Sequence, residues 1–163
     1  MLIDVRGTSF NNKGAEMMLL ATIEQIRSSL PGSHFSMRAL RPYASYQKRA
    51  LLGLYQLLLI DRIPRISNIV GALIPKYVRR ALGIVIERDL DVVLDASGYS
   101  LGDPWGPAIA KRTARAVLRW KNNGAKIIFL PQAYGPFCSK EIRSSLRTII
   151  DNIDLMYVRD QTS

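Results

Sequence analysis

Four short segments of this chain concentrate the residues able to hold a ligand. The first is Asn11-Asn12-Lys13-Gly14-Ala15-Glu16. Gly14 allows a tight turn into a following helix, whose first N–H groups attract anions. Lys13 adds a point charge, Asn12 offers amide groups, and Glu16 suits the first turn of a helix, as ligand contact or simple capping acid. The second is Asp95-Ala96-Ser97-Gly98-Tyr99-Ser100-Leu101-Gly102-Asp103-Pro104-Trp105-Gly106. Its small residues, Ser97 and Gly98 among them, permit close backbone approach, and Asp95 and Asp103 can accept hydrogen bonds from sugar hydroxyls. Tyr99 could pack on an apolar sugar face; Trp105 is expected in the core, where large aromatics usually sit. The third is Pro131-Gln132-Ala133-Tyr134-Gly135-Pro136-Phe137. Gln132 is its polar group best placed to reach a ligand, and Gly135 permits a positive φ. The fourth, Arg159-Asp160-Gln161-Thr162-Ser163, offers a guanidinium able to grip a carboxylate or phosphate with two parallel hydrogen bonds, or to pair with Asp160.

Other chemistries are poorly served. The single cysteine, Cys138, excludes a cysteine zinc cluster and an internal disulfide, and is expected to be a small packed residue. The single histidine, His34, falls at the start of a strand, away from the ligand edge, where a surface role is expected. Asp91, Asp151 and Asp154 mark element ends and lack metal-ligand spacing. The first segment matches neither a P-loop nor the dinucleotide fingerprint. No metal or cofactor is called for.

The elements that must position these segments alternate. Short apolar runs at residues 2–5, 35–39, 92–94, 127–130 and 155–158 predict strands. Helical spacing predicts helices over about residues 15–29, 107–122 and 139–152, the last capped by Ser139. Residues 46–60 and 64–83 predict two further helices, an insert apolar on one side and basic on the other. The whole reads as one α/β domain over residues 1–163, a Rossmann-like parallel sheet flanked by helices. In such a sheet the segments after the strands share one edge, where ligands bind.

The 163-residue chain is 48% apolar and 22% charged, sufficient for a real core. Its net charge is +10, and residues 38–80 carry nine Lys/Arg against one acid, Asp61. That field favours an anionic surface or small molecule. No nucleic-acid-binding motif accompanies it, so nucleic acid is not expected. The most apolar stretch, residues 51–60, is about half the length of a bilayer crossing. A cytoplasmic protein is expected.

Taken as a set, the segments resemble the polysaccharide pyruvyl transferase family. The resemblance lies in Asn12-Lys13-Gly14-Ala15-Glu16, Asp95-Ala96-Ser97-Gly98-Tyr99 with Gly102-Asp103, the segment from Pro131 to Phe137, and Val158-Arg159-Asp160-Gln161-Thr162-Ser163. It implies transfer of a pyruvyl group from phosphoenolpyruvate to a sugar hydroxyl of a surface polysaccharide or its lipid-linked precursor. It implies that Arg159 binds the donor. Asn12, Lys13, Gly14, Glu16, Ser97, Gly98, Asp103, Gln132 and Gly135 would line the cleft or face the acceptor. The family resembles two-domain GT-B transferases, and the resemblance covers the N-terminal half of such a protein. A second domain, carrying the family's histidine acid, is expected to be absent from this chain, which alone would lack full activity. The basic insert, residues 46–83, would then meet an anionic membrane. Two alternatives remain: a half-domain of a sugar-nucleotide glycosyltransferase, and a non-catalytic saccharide-binding module.

Overall fold

The computed structural model describes residues 1–38, 44–58 and 64–161. Ala39, the stretch 59–63 and Thr162-Ser163 lie outside the described residues, and with them the expected end of the second strand and the division between the two expected insert helices. In chain order the elements are β1 (Leu2–Arg6), α1 (Lys13–Ser29), β2 (His34–Arg38), α2 (Tyr46–Leu51), β3 (Leu54–Leu57), α3 (Pro64–Ala72), α4 (Lys76–Ala81) and β4 (Ile84–Val85). They continue with β5 (Val92–Asp95), β6 (Tyr99–Leu101), α5 (Gly106–Asn122), β7 (Lys126–Tyr134), α6 (Lys140–Ile150) and β8 (Leu155–Val158). The strands form one sheet in the order β4-β3-β2-β1-β5-β7-β6, with β8 also on β7. Every pairing is parallel. This is the Rossmann-like α/β arrangement that the alternation of strands and helices predicts.

Alternate residues of β1 serve opposite layers. Leu2 joins a core with Val93, Trp120, Ile127, Phe129 and Ile142, under α5 and α6. Ile3 and Val5 join another with Leu19, Ile23, Phe35 and Met37, under α1. Two covered faces explain why these strands read as short apolar runs.

The expected helix over residues 46–60 is corrected: it ends at Leu51, and Gly53 turns the chain at φ +63° into β3. Leu54 packs in one core and Leu57 in the other, as three residues of strand require. β3 pairs with β2 and β4 on its two edges. Residues 51–60 are apolar except for Gly53 and Gln56, and periodicity cannot tell so short a run from helix. The expected helix over residues 64–83 is also corrected. It breaks before Pro75 into α3 and α4, and β4 follows. His34 opens β2, exposed, with Tyr55 edge-on at 5.9 Å.

Candidate functional site

Parallel strands deliver β1, β5, β7 and β8 to a common edge, and the segments that follow them interlock there. The tie is Asp95, at the end of β5 and buried. One carboxylate oxygen accepts from the backbone N–H of Ser97 at 3.0 Å and from the Gln132 amide at 3.0 Å. The other lies 3.5 Å from Arg6 Nε, whose guanidinium stacks over Trp120 at 4.5 Å. Gln132 also donates to the Asp95 carbonyl at 2.9 Å. Expected to reach a ligand, Gln132 is instead 0% exposed and clamps β7 to β5.

β7 runs four residues beyond the strand predicted from sequence, because the second segment pairs with it as β6. Pro131 cannot donate to a ladder. The β8 register steps from Phe129 to Gln132 around it, and its ring is exposed. Tyr99 then donates from its hydroxyl to the Gly135 carbonyl at 2.7 Å. Gly102 presses on the same peptide, so that a Cβ there would lie 2.4 Å from the Gly135 oxygen. Gly135 itself takes φ +91°, as expected of that position, before a cis bond to Pro136.

Asp103 closes the assembly. Its carboxylate accepts from the backbone N–H of Cys138 at 2.6 Å and of Ser139 at 3.1 Å, and its own N–H donates to the Pro136 carbonyl at 2.8 Å. The first two bonds hold its carboxyl below the usual carboxylate range. Ser139 is the N-cap of α6, but its side chain makes no capping bond. Arg143 donates to the carbonyls of Phe137 and Cys138, each at 2.7 Å. Cys138 is exposed rather than packed as expected, and bonding to Asp103 pushes its thiol pKa up, away from reactivity.

A cavity of about 540 Å³ opens on this edge. Tyr99, Tyr134, Gly135, Phe137, Arg159 and Asp160 are among the residues lining it. The Arg159 N–H donates to the Gln132 carbonyl at 2.9 Å, which fixes where β8 delivers this arginine. Its side chain is exposed, with Nε 3.6 Å from the Asp160 carboxylate. Tyr134 is buried, and its hydroxyl has no hydrogen-bond partner among the described residues. Burial, and secondarily Asp95, push that hydroxyl's pKa up, so it stays protonated. Trp105 is exposed rather than in the core, standing edge-on to Tyr99 at 5.8 Å.

Of the residues singled out from sequence, Tyr99, Gly135 and Arg159 meet at the cavity, while Gln132 and Asp103 hold its wall from behind. Ser97 and Gly98 form the turn between β5 and β6, Gly98 with open space where a Cβ would lie. Asn12, Lys13, Gly14 and Glu16 do not line the cavity; they build the start of α1. Asn12 Oδ1 accepts from Ala15 at 3.3 Å, and Glu16 pairs with Lys13 at 3.0 Å and Lys48 at 3.2 Å. Those two lysine bonds lower the Glu16 pKa. Sequence reasoning did not single out Tyr134, Phe137 or Asp160 as site residues. Their only signal was their place beside Gly135 and Arg159.

Among the described residues, no group of three or more His, Cys, Asp or Glu is placed to hold a metal ion. None of their helices is long and apolar enough to cross a membrane.

Comparison with protein families decides the broader question: the model of the polysaccharide pyruvyl transferase family matches residues 12–163. The chain belongs to that family. The match takes in the edge built around Asp95 and Asp103 in this polysaccharide pyruvyl transferase family member, together with nearly all the rest of the chain. No curated protein and no solved structure gave a significant match.

Proposed function

We propose that this chain binds phosphoenolpyruvate for transfer of its pyruvyl group to sugar hydroxyls of a polysaccharide or its lipid-linked precursor, with Arg159 as the donor contact. The observation that carries the reading is the exposed Arg159 guanidinium on the wall of the cavity of about 540 Å³. A planar cationic fork matches the planar carboxylate of the donor, or two oxygens of its phosphate. The Asp160 carboxylate lies 3.6 Å from Arg159 Nε, a contact for which a dianion would compete. The net charge of +10 raises the local concentration of such an anion.

The remaining wall suits the rest of the donor. Tyr99 and Phe137, which line the cavity, would flank the three-carbon unit. In the overall reaction the enol carbon gains bonds to two sugar oxygens and loses its bond to phosphate. The methylene takes one hydroxyl proton to become methyl, and phosphate leaves with the other. On this reading the acceptor lies toward Ser97, Gly98 and the start of α1, where Asn12, Lys13, Gly14 and Glu16 are exposed or half-buried. Asp103 and Gln132 shape the site through the backbone they hold. Contact with the inner face of an anionic membrane would bring lipid-linked acceptors within reach.

Thermal unfolding with added ligands tests the donor. Phosphoenolpyruvate should raise the melting temperature more than pyruvate or inorganic phosphate at equal concentration. Stabilisation by a nucleotide sugar with none by phosphoenolpyruvate would replace this reading with the glycosyltransferase one.

A further inference from the structure

A surface helix ordinarily turns its apolar stripe inward. The helix α3 does the reverse. From Ile66 to Ala72 its buried positions are small: Ser67 is buried, and Gly71 lies so close to Ile86 that a Cβ would come within 2.4 Å of that side chain. Its large apolar residues Ile66, Ile69 and Val70, with Leu73 just past its end, recur at positions i, i+3, i+4 and i+7 and are all exposed. Ile69 is 66% exposed and Leu73 80%. Ile74 and Tyr77 carry the exposed apolar surface across the break into α4, Tyr77 at 76%. Scattered exposed apolar residues need no explanation, but a helical stripe facing solvent does.

The charge around this stripe selects its occupant. The sequence has no acid between Asp61 and Glu87. Glu87 is buried, and Asp89 is held by Arg79, which is itself buried and also donates to the Ile74 carbonyl at 3.1 Å. Lys76 is exposed and Arg80 half-buried. A second copy of a chain with net charge +10 would meet like charge here. An anionic lipid surface meets apolar residues that sink below the headgroups, cations that stay among them, and a tyrosine suited to the boundary.

We infer that the α3–α4 connection is an interfacial anchor, docking the protein on an anionic membrane through Ile66, Ile69, Val70, Leu73 and Tyr77 with Lys76 at the headgroups. This rests on the reading above that the chain works beside such a membrane, and gives that contact its surface. The shape of α3 also fits the role, since its small inner residues let it lie flat against the segment before β5.

Flotation with vesicles of phosphatidylcholine alone, or with about one third phosphatidylglycerol, tests the anchor using the full chain. The protein should float with the anionic vesicles at low salt, weakly with neutral ones, and less as salt rises. The double variant Ile69→Ser/Leu73→Ser should lose binding by roughly ten-fold or more while keeping its melting temperature, because both side chains already face water. Its response to phosphoenolpyruvate should be unchanged, which separates failure of the anchor from failure of the donor site. Folded wild-type protein that ignores anionic vesicles, or a double variant that binds them equally, overturns the inference. So does a wild-type dimer in light scattering that the double variant converts to monomer, since the stripe would then be a self-association face.

Discussion

Replacing Asp4 by asparagine should stabilise the protein at neutral pH and remove one source of its pH dependence. Asp4 lies in the middle of β1, 1% exposed, and accepts a hydrogen bond from the Ser36 hydroxyl at 2.9 Å. Burial outweighs that bond and the attraction of Arg38 and Arg6, and raises the Asp4 pKa from 3.8 to about 6. Below the lower value both folded and unfolded chains carry the proton, and the carboxyl costs nothing extra. Between the two values the folded chain holds a proton that the unfolded chain has released, so stability falls as pH rises through this window. Above about pH 6 the deficit is complete. At about 1.36 kcal/mol per pH unit it amounts to roughly 3 kcal/mol. Asparagine has no charge to bury, and its carbonyl can accept the same bond from Ser36. The raised pKa already includes the attraction of Arg38 and Arg6, and burying the amide costs part of the gain, so the net gain expected at pH 7 is about 1–3 kcal/mol. Urea unfolding followed by circular dichroism from pH 4 to pH 8 measures both chains. The curves should meet near pH 4, separate up to about pH 6, and run parallel above it. A variant less stable than wild type at pH 7, or a constant difference at every pH, would refute the reasoning.

Two other changes probe how the site is held. Gly102→Ala puts a methyl group 2.4 Å from the Gly135 oxygen, so one backbone must move. Stability should drop by about 1–3 kcal/mol in urea unfolding, with weaker response to phosphoenolpyruvate because Gly135 lines the cavity. Glu87→Ala removes the buried partner of Arg119, at 3.2 Å, and of Arg38, at 3.8 Å. Leaving those cations near each other without it should cost about 3–5 kcal/mol, read as a lowered urea midpoint.

The sheet and the edge that carries the candidate site were legible in the sequence because β1, β5, β7 and β8 each end an apolar run in residues with special backbone or polar roles. Three strands were not. β3 reads as helix because periodicity cannot tell so short an apolar run from one; β4 has only two residues; β6 lies in a glycine-containing segment and is strand only because β7 extends beside it. The site shows the same division. Arg159 and Gly135 could be picked out by chemistry and backbone freedom. Gln132 and Asp103 carry the right groups, but the folded chain turns them toward Asp95 and the start of α6. Such contacts between segments distant in sequence leave no local pattern. Trp105 was misjudged for a related reason: size argues for burial, but the short turn before α5 leaves it outside.

Calorimetric titration of the full chain with phosphoenolpyruvate, for wild type and Arg159→Ala, tests the donor assignment most directly. The account predicts saturable binding by the wild type and a loss of roughly ten- to hundred-fold in the variant, the worth of a charge-assisted bond to an anion. The variant's melting temperature should stay close to wild type, because the Arg159 side chain is exposed. Folded wild-type protein that shows no binding, or an Arg159→Ala variant that binds equally well, would contradict it.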